Sequence, residues 1–241
     1  MTVLNTIMVG QLRAFKKAVD KRTKAGASKD EALLKELRVI IKSCRRVLFE
    51  GDNYSADWQK QAAKRGLSNI KDTPRALDAL ISKHSQQLFA EAGVLNEREL
   101  RARHEILLQS YTLKLQIEGR VIGDMAINHI LPAAVRYQND LLENIRGLKE
   151  IGTQASGIEA QTSICNEIST HIQAIKTNVD KMTDSRREAN KIEDARDKAI
   201  AYCDTVKPYF DIIRESVDRL EILVDDKLWP LPKYREMLFV R

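Results

Sequence analysis

Apolar side chains recur every three or four residues along most of this 241-residue sequence. The repeat is most regular between residues 153 and 224, where Ile158, Cys165, Ile172 and Val179 follow one another at intervals of seven. This spacing gathers apolar groups on one face of an α-helix, and no segment alternates with the period of two that a strand requires. The sequence therefore predicts an all-α fold, a multi-helix bundle.

Two apolar stripes in succession predict a long antiparallel helical hairpin near the C-terminus, over residues 153–225. A charged segment near Arg186 separates the stripes and marks the expected turn. One long helix that pairs with another chain remains an open alternative. The second stripe consists of Val206, Phe210, Ile213, Val217, Leu220 and Val224.

The remaining sequence divides into a helical region, residues 1–152, and a tail, residues 226–241, with a short helix near residues 234–239. Ser28 and Asn96 are predicted N-caps, because each is followed by glutamate three residues later in a capping-box pattern. Thr73 precedes Pro74 and is also expected to cap a helix. Pro132 is expected to interrupt a helix that starts near residue 97, so that two antiparallel helices lie side by side.

Composition argues against several classes of function. The 40 basic and 34 acidic residues are interleaved, which is typical of solvated helix faces, and no aromatic platform accompanies the charge. No nucleic-acid partner is therefore expected, although a basic RNA- or DNA-binding helical protein is retained as a weaker alternative. No apolar run is long enough to predict a membrane span. Three scattered cysteines indicate free thiols and a reducing cytoplasm.

Motifs for catalysis or cofactor binding are missing from the sequence. It contains neither of the glycine-rich phosphate-binding patterns, GxxxxGK[ST] and GxGxxG, nor the HExxH and GxSxG patterns of hydrolases. No two of the four histidines are three or four residues apart, as paired metal ligands on a helix would be. No catalytic, cofactor-binding or metal-binding residue is predicted.

A polar network is predicted on the helices that flank Pro132. Arg120, Asp124 and Asn128 share one helix face because they are four residues apart. The set could line a ligand pocket, but a network that fixes helix register or docks a neighbour is favoured. Its predicted members are Glu118, Arg120, Asp124, Asn128, His129, Arg136, Asn139, Glu143 and Arg146.

A second constellation lies in residues 49–69, where Tyr54 and Trp58 are close in sequence to Asp52, Lys64 and Arg65. A loop that combines aromatic and basic groups could bind a ligand or partner. The favoured interpretation is that Tyr54 and Trp58 anchor an irregular loop to the core.

Four longer segments carry a more specific signal: residues 2–7, 51–80, 118–151 and 225–239. The third reads EGRVIGDMAINHILPAAVRYQNDLLENIRGLKEI and the last DDKLWPLPKYREMLF. In this order they resemble the C-terminal region of type III glutamine synthetases. Residues 153–224 fit that family less distinctively.

The resemblance implies a parent enzyme that is an ATP- and Mg-dependent glutamate–ammonia ligase, a cytoplasmic homo-oligomer of stacked rings. The family's catalytic motifs precede the equivalent of residue 2, so this chain is expected to be a helical piece without the active site. Its expected partners are the catalytic domain of the same polypeptide and neighbouring subunits, and the apolar face of residues 2–21 would partly expose a surface meant for that domain. The alternative is a stand-alone helical module that binds other proteins.

Overall fold

The computed structural model describes residues 1–238, and within that range the backbone is helical with no β-strand, which confirms the all-α prediction. The chain divides into two units, Met1–Leu107 and Leu108–Arg241, called here the N-terminal and C-terminal units. The sequence-based division at residues 152 and 225 stays a prediction. The last helix spans Tyr234–Met237, and Phe239, where the short tail helix was expected to end, lies outside the described residues.

Side-chain caps start the α-helices of the N-terminal unit that follow the first one, which has no side-chain cap. The Ser28 hydroxyl accepts a hydrogen bond from the Glu31 N–H at 3.3 Å, as predicted. At Asn96 the whole capping box forms, with Glu99 N–H donating to the Asn96 side chain at 2.9 Å and the Asn96 N–H donating back at 2.8 Å. The prediction for Thr73 is wrong, because the Asp72 carboxylate accepts from the Arg75 N–H and Thr73 is already helical.

The helices of this unit are short apart from the first two and the last. They are α1 (Thr2–Lys24), α2 (Lys29–Cys44), α3 (Ala56–Lys64), α4 (Thr73–Leu77), α5 (Lys83–Glu91) and the first turns of α6 (Glu97–Asp124).

The core of the N-terminal unit is small. Helix α1 packs against α2 and α5, and Gly10 permits the second approach because a Cβ there would lie 2.5 Å from the Leu88 Cδ1 atom. Phe89 and Leu100 are its largest fully buried apolar side chains. The buried ring of His104 lies 3.2 Å from the Asp78 carboxylate, so a polar pair occupies part of this interior.

In the C-terminal unit the predicted break at Pro132 is wrong. Helix α6 passes through a π-helical segment, Met125–Ile130, directly into α7 (Leu131–Glu150). Leu131 keeps helical dihedrals, φ −57° and ψ −48°. Proline cannot donate the regular helix hydrogen bond and its ring crowds the carbonyl four residues earlier. The wider π turn just before Pro132 relieves that conflict, so the helix continues and does not fold back.

The chain reverses after α7, and α8 (Glu159–Asn190) returns along the helix that α6 and α7 form. Gln116 donates to the Asn190 side chain at 2.9 Å, whereas Gln138 donates to the Ser169 hydroxyl at 2.6 Å. Because residue numbers fall on α8 as they rise on the other helix, the two are antiparallel.

A third helical stretch completes this unit: α9 (Ala195–Ala201), a second π-helical segment (Tyr202–Val206) and α10 (Pro208–Leu223). It packs on α8 after a turn at residues 191–194, and the Tyr202 hydroxyl donates to the Asn190 side chain at 2.7 Å. Arg186 itself lies inside α8, and the turn falls a few residues later within the charged segment that was predicted to separate the two stripes. Helix α8 also has two helical partners, which the hairpin prediction did not foresee.

The C-terminal unit has a large apolar core that includes the tail, and a second, smaller cluster formed by Ile145, Ile158 and Cys165. Trp229 is buried in the large core, and the Lys233 ammonium donates to the Glu221 carbonyl and the Asp226 carboxylate, each at 2.6 Å. The lysine thereby satisfies a carbonyl at the end of α10 and fastens the tail. The largest fully buried side chains of the large core are Tyr202, Ile130, Ile168, Ile175, Met182, Ile213 and Leu220.

Candidate functional site

The nine residues predicted as a polar network are all solvent-exposed in the structure. They lie along one continuous helical stretch, so the two groups do not face each other across a helix pair. Within the described chain, the one hydrogen bond between members is that of the Asn128 amide with the Asp124 carboxylate, at 2.6 Å. Arg136 donates to the Pro132 carbonyl at 3.2 Å. Whether this exposed polar surface docks a neighbour stays a prediction.

The aromatic and basic loop has one anchoring side chain rather than two. Trp58 is half-buried and stacks on Phe49 with ring centroids 4.6 Å apart. Arg65 lies over the Trp58 ring and donates to the Leu48 carbonyl, which ties the loop to α3. Tyr54 is 94% exposed, so the expectation that it anchors the loop is wrong. Trp58 therefore helps to fix the position of residues 46–49, which is a structural role.

A surface of exposed apolar groups lies on α1. Met1, Leu4, Met8 and Leu12, spaced by three or four residues, form a line that we call the α1 ridge. Leu4, Met8 and Leu12 are 64%, 58% and 60% exposed. No charged residue occurs between positions 2 and 12, although the second half of the helix is strongly basic. On the apolar face that the sequence predicts for residues 2–21, Val3, Ile7 and Leu12 are exposed, whereas Val19 is buried.

A pocket opens beside the start of α1. It has a volume of about 420 Å³, and its walls include Val3, Val94, Ile106 and Leu107, all of them exposed apolar residues. We call it the α1 pocket. Arg103 is its one charged lining residue, and within the described chain the guanidinium has no hydrogen-bond or ion-pair partner. The sequence signal for this site is the uncharged stretch that precedes the basic half of α1.

The apolar stripe of α2 is also largely uncovered. The apolar stripe that the sequence predicts for this helix consists of Leu33, Leu34, Leu37, Ile40 and Ile41; Leu33 is half-buried and the other four are exposed. Ala32 is the buried residue of this helix. An ion pair between Arg22 and Glu36, 2.9 Å apart, joins α2 to α1 at the edge of the stripe. Periodicity identified the stripe correctly, but it did not reveal that this chain leaves it open.

A second cavity, of about 450 Å³, lies in the C-terminal unit. It is formed by the first π-helical segment and α10, with Ile130, Phe210 and Val217 among its apolar lining residues. Asp211 and Arg214 stand at its polar side and are exposed. The arrangement provides an apolar groove with a mixed-charge margin.

Nucleophilic and metal-binding groups are dispersed. Cys44 is exposed, Cys203 is half-buried and Cys165 is buried, and burial raises the pKa of the Cys165 thiol. In residues 1–238, no three or more His, Cys, Asp or Glu side chains come together in a metal-binding arrangement. No helix in that range combines the length and apolar character needed to cross a membrane.

Comparison with known proteins shows which family the chain resembles. Residues 32–149 match the family described as the glutamine synthetase C-terminal domain. The whole chain aligns with a glutamine synthetase of Bacteroides fragilis at 44% identity, covering 34% of that protein. A type-3 glutamine synthetase of Dictyostelium discoideum is 30% identical over 99% of this chain, which corresponds to 33% of the relative.

A glutamine synthetase of Butyrivibrio fibrisolvens is 28% identical over 89% of the chain and 31% of its own length. The chain thus spans about a third of the length of the curated relatives that it matches.

Proposed function

The chain belongs to the family of the glutamine synthetase C-terminal domain, and from this premise we propose that it is the helical C-terminal part of a type III glutamine synthetase. The complete polypeptide would be a cytoplasmic glutamate–ammonia ligase of nitrogen metabolism. The similarity over the whole length of the chain to two such enzymes carries this proposal.

In the proposed reaction, ATP phosphorylates the γ-carboxylate of glutamate, and ammonia then displaces the phosphate to form glutamine. Such chemistry needs groups that bind the phosphates of ATP and carboxylates that converge on Mg²⁺. In the described residues, no three His, Cys, Asp or Glu side chains come together in a metal-binding arrangement, and the sequence has neither glycine-rich phosphate-binding pattern. We therefore assign no step of the ligase reaction to this chain. We assign the binding of ATP and Mg²⁺ to the remainder of the polypeptide.

The proposed role of the chain is structural. The N-terminal unit leaves the α1 ridge and the α2 stripe exposed, and contiguous apolar surfaces of this kind mark places where other protein surfaces bind. The catalytic domain of the same polypeptide and neighbouring subunits of a ring-shaped homo-oligomer are the proposed partners. Burying a leucine-sized side chain contributes about 1.5–3 kcal/mol, so the uncovered ridge alone could stabilise such a contact by several kcal/mol.

A ligase assay tests the proposal. The complete open reading frame and the 241-residue chain are purified separately and supplied with glutamate, ammonia, ATP and Mg²⁺. Glutamine is expected from the complete protein and not from the chain alone. Detectable turnover by the chain alone would show that the catalytic groups have been wrongly assigned.

A stand-alone helical interaction module is the second candidate, and the open α2 stripe favours it, because a partner helix could cover that stripe. The gene decides between the two. A reading frame that continues upstream of Met1 through the catalytic motifs supports the ligase proposal, whereas a start codon at Met1 with no such neighbour supports the module.

A further inference from the structure

We infer that helix α1 of one copy of the chain contacts helix α10 of a second copy through two rows of opposite charge. This inference rests on the proposed function, because it takes the complete protein to be a homo-oligomer. It adds the surfaces on which neighbouring subunits meet and the chemistry that selects them.

The charge of the chain is distributed unevenly between these two helices. Helix α1 contains six basic residues and one acidic residue, a net charge of +5, whereas the formal net charge of the whole chain is +6. Residues 208–226, which form α10 and the start of the following turn, contain six acidic and two basic residues, a net charge of −4. Surfaces of opposite sign attract each other and exclude partners of like charge. A second copy therefore offers α1 a complementary surface.

The order of the charges makes the match more specific than the net charge does. One face of α1 carries a basic row, at positions i, i+3, i+4 and i+7, that consists of Lys17, Asp20, Lys21 and Lys24. One face of α10 carries an acidic row with the same spacing, which consists of Asp211, Arg214, Glu215 and Asp218. The charge is of opposite sign at each of the four positions.

The members of both rows are available for contact with another molecule. All eight side chains are solvent-exposed. The three lysines of the basic row, together with Asp211 and Glu215, have no hydrogen-bond or ion-pair partner for their side chains within the described part of the chain. Asp20 and Arg214 form ion pairs only along their own helices, with Lys16 and Asp218 respectively.

A parallel alignment of the two helices pairs the rows residue for residue. In this register Lys17 lies opposite Asp211, and the other members of the rows follow in order. A shift by one helical turn would place Asp20 opposite Asp218 and Lys21 opposite Arg219, which brings like charges together. Exposed ion pairs each contribute little, so we expect the rows to select the partner and the register and other subunit contacts to supply most of the affinity.

The geometry of such a contact agrees with a ring. The two rows lie on different helices, so each copy offers one row of each kind and the contact is heterologous. Heterologous contacts generate closed rings when the rotation between neighbouring copies permits closure.

Charge reversal in the complete polypeptide tests the inference. The first variant reverses the basic row with Lys17→Glu, Lys21→Glu and Lys24→Glu, and the second reverses the acidic row with Asp211→Lys, Glu215→Lys and Asp218→Lys. A control variant makes the same charge change at three other exposed lysines of the N-terminal unit, Lys60, Lys64 and Lys71. Analytical ultracentrifugation measures the assembled fraction, and circular dichroism checks that each variant is folded.

Each reversed variant alone should lose most of its assembled fraction, whereas the control should assemble as the unchanged protein does. An equimolar mixture of the two reversed variants should recover assembly, because each copy then meets a neighbour with the complementary row. High salt should weaken assembly of the unchanged protein, since the charges are exposed and screened.

Several results would overturn the inference. Recovery only when both reversals are present in one chain would show that the rows meet within a copy. A loss confined to the first variant, with nucleic acid in the unchanged assembly, would show that α1 binds nucleic acid. Undiminished assembly of both reversed variants, an equal loss in the control, or an unchanged protein that does not assemble would also contradict it.

Ligase activity of the unchanged complete protein separates the two proposals. An enzyme that makes glutamine, but whose reversed variants do not recover assembly on mixing, would refute the contact and leave the ligase assignment intact. Recovery on mixing in a protein that makes no glutamine would support the contact and refute the ligase assignment.

Discussion

The two units of this chain have similar apolar periodicity, but the apolar stripes are buried in the C-terminal unit and largely exposed in the N-terminal unit. In the C-terminal unit the stripes of α6, α8 and α10 meet in one core that contains fully buried Ile175 and Ile213. In the N-terminal unit the stripes of α1 and α2 remain largely exposed, and most of the exposed large apolar side chains of residues 1–238 belong to this unit. A periodic pattern thus predicts which face of a helix is apolar, but not whether its partner lies in the same chain.

The largest expected difference between the units comes from matched isoleucine truncations. Ile175→Ala should lower the free energy of unfolding by about 2–5 kcal/mol, because the side chain is fully buried and its removal leaves a cavity. Ile41→Ala, at a site that is 61% exposed, should change it by at most about 0.5 kcal/mol. Urea denaturation of the two variants measures both values. Equal losses would mean that α2 is covered in solution by something other than this chain.

The tail of the C-terminal unit should show the next largest effect. Lys233→Met removes the hydrogen bonds to the Glu221 carbonyl and the Asp226 carboxylate but keeps much of the apolar stem. We expect a loss of about 1–2 kcal/mol, at the lower end for charged hydrogen bonds because Asp226 is half exposed to solvent. Thermal unfolding measures the loss, with Lys24→Met in the N-terminal unit as the control. An unchanged transition would show that Trp229 alone holds the tail.

A smaller effect is expected from the cap of α6. Asn96→Ala removes the acceptor of the Glu99 N–H and should cost about 1 kcal/mol. Asn139→Ala, at an exposed position on α7, is the matched control and should be nearly neutral. Denaturant titration of both variants provides the comparison. A substantial loss from Asn139→Ala would instead support the predicted polar network, since it would reveal a partner that the exposed geometry does not show.

The smallest expected effect is a difference in reactivity between the cysteine thiols of the two units. Cys44 in the N-terminal unit should react with iodoacetamide first and Cys165 in the C-terminal unit last, because Cys165 is buried and its raised pKa keeps the thiol protonated to higher pH. As the pH is raised, the labelling rate of Cys165 should therefore begin to increase at a higher pH in the folded protein than in an unfolded chain. Mass spectrometry after timed labelling measures the order, and prior denaturation in urea should abolish it. Early labelling of Cys165 in the folded protein would indicate that the core opens locally.

Local chemistry explains which parts of the fold could be predicted. The caps at Ser28 and Asn96 depend on residues within one turn, so the sequence alone identifies them. The prediction of a helix break at Pro132 is wrong because it considered the local cost of proline within a helix and not the tertiary packing around it. Ala126 and Ile130 are buried in the core, and their packing favours a continued helix with a π-helical segment over a reversal.

The candidate site was only partly accessible to the same reasoning. The uncharged start of α1 was visible in the sequence, and its apolar exposure was anticipated. The α1 pocket was not, because Val3, Val94 and Arg103 are brought together by tertiary packing of three separate segments. Conversely, the polar residues on either side of Pro132 were expected to face one another only because a helix reversal was assumed.

Hydrogen exchange in the complete polypeptide tests most directly whether the N-terminal unit is completed by another part of the protein. The account predicts that amides of residues 4–12 and 103–107 exchange about as slowly as those in the buried stretch of α8 around Ile168 and Ile175, because the α1 ridge and pocket are covered. Fast exchange at residues 4–12 and 103–107, while α8 stays protected, would contradict it.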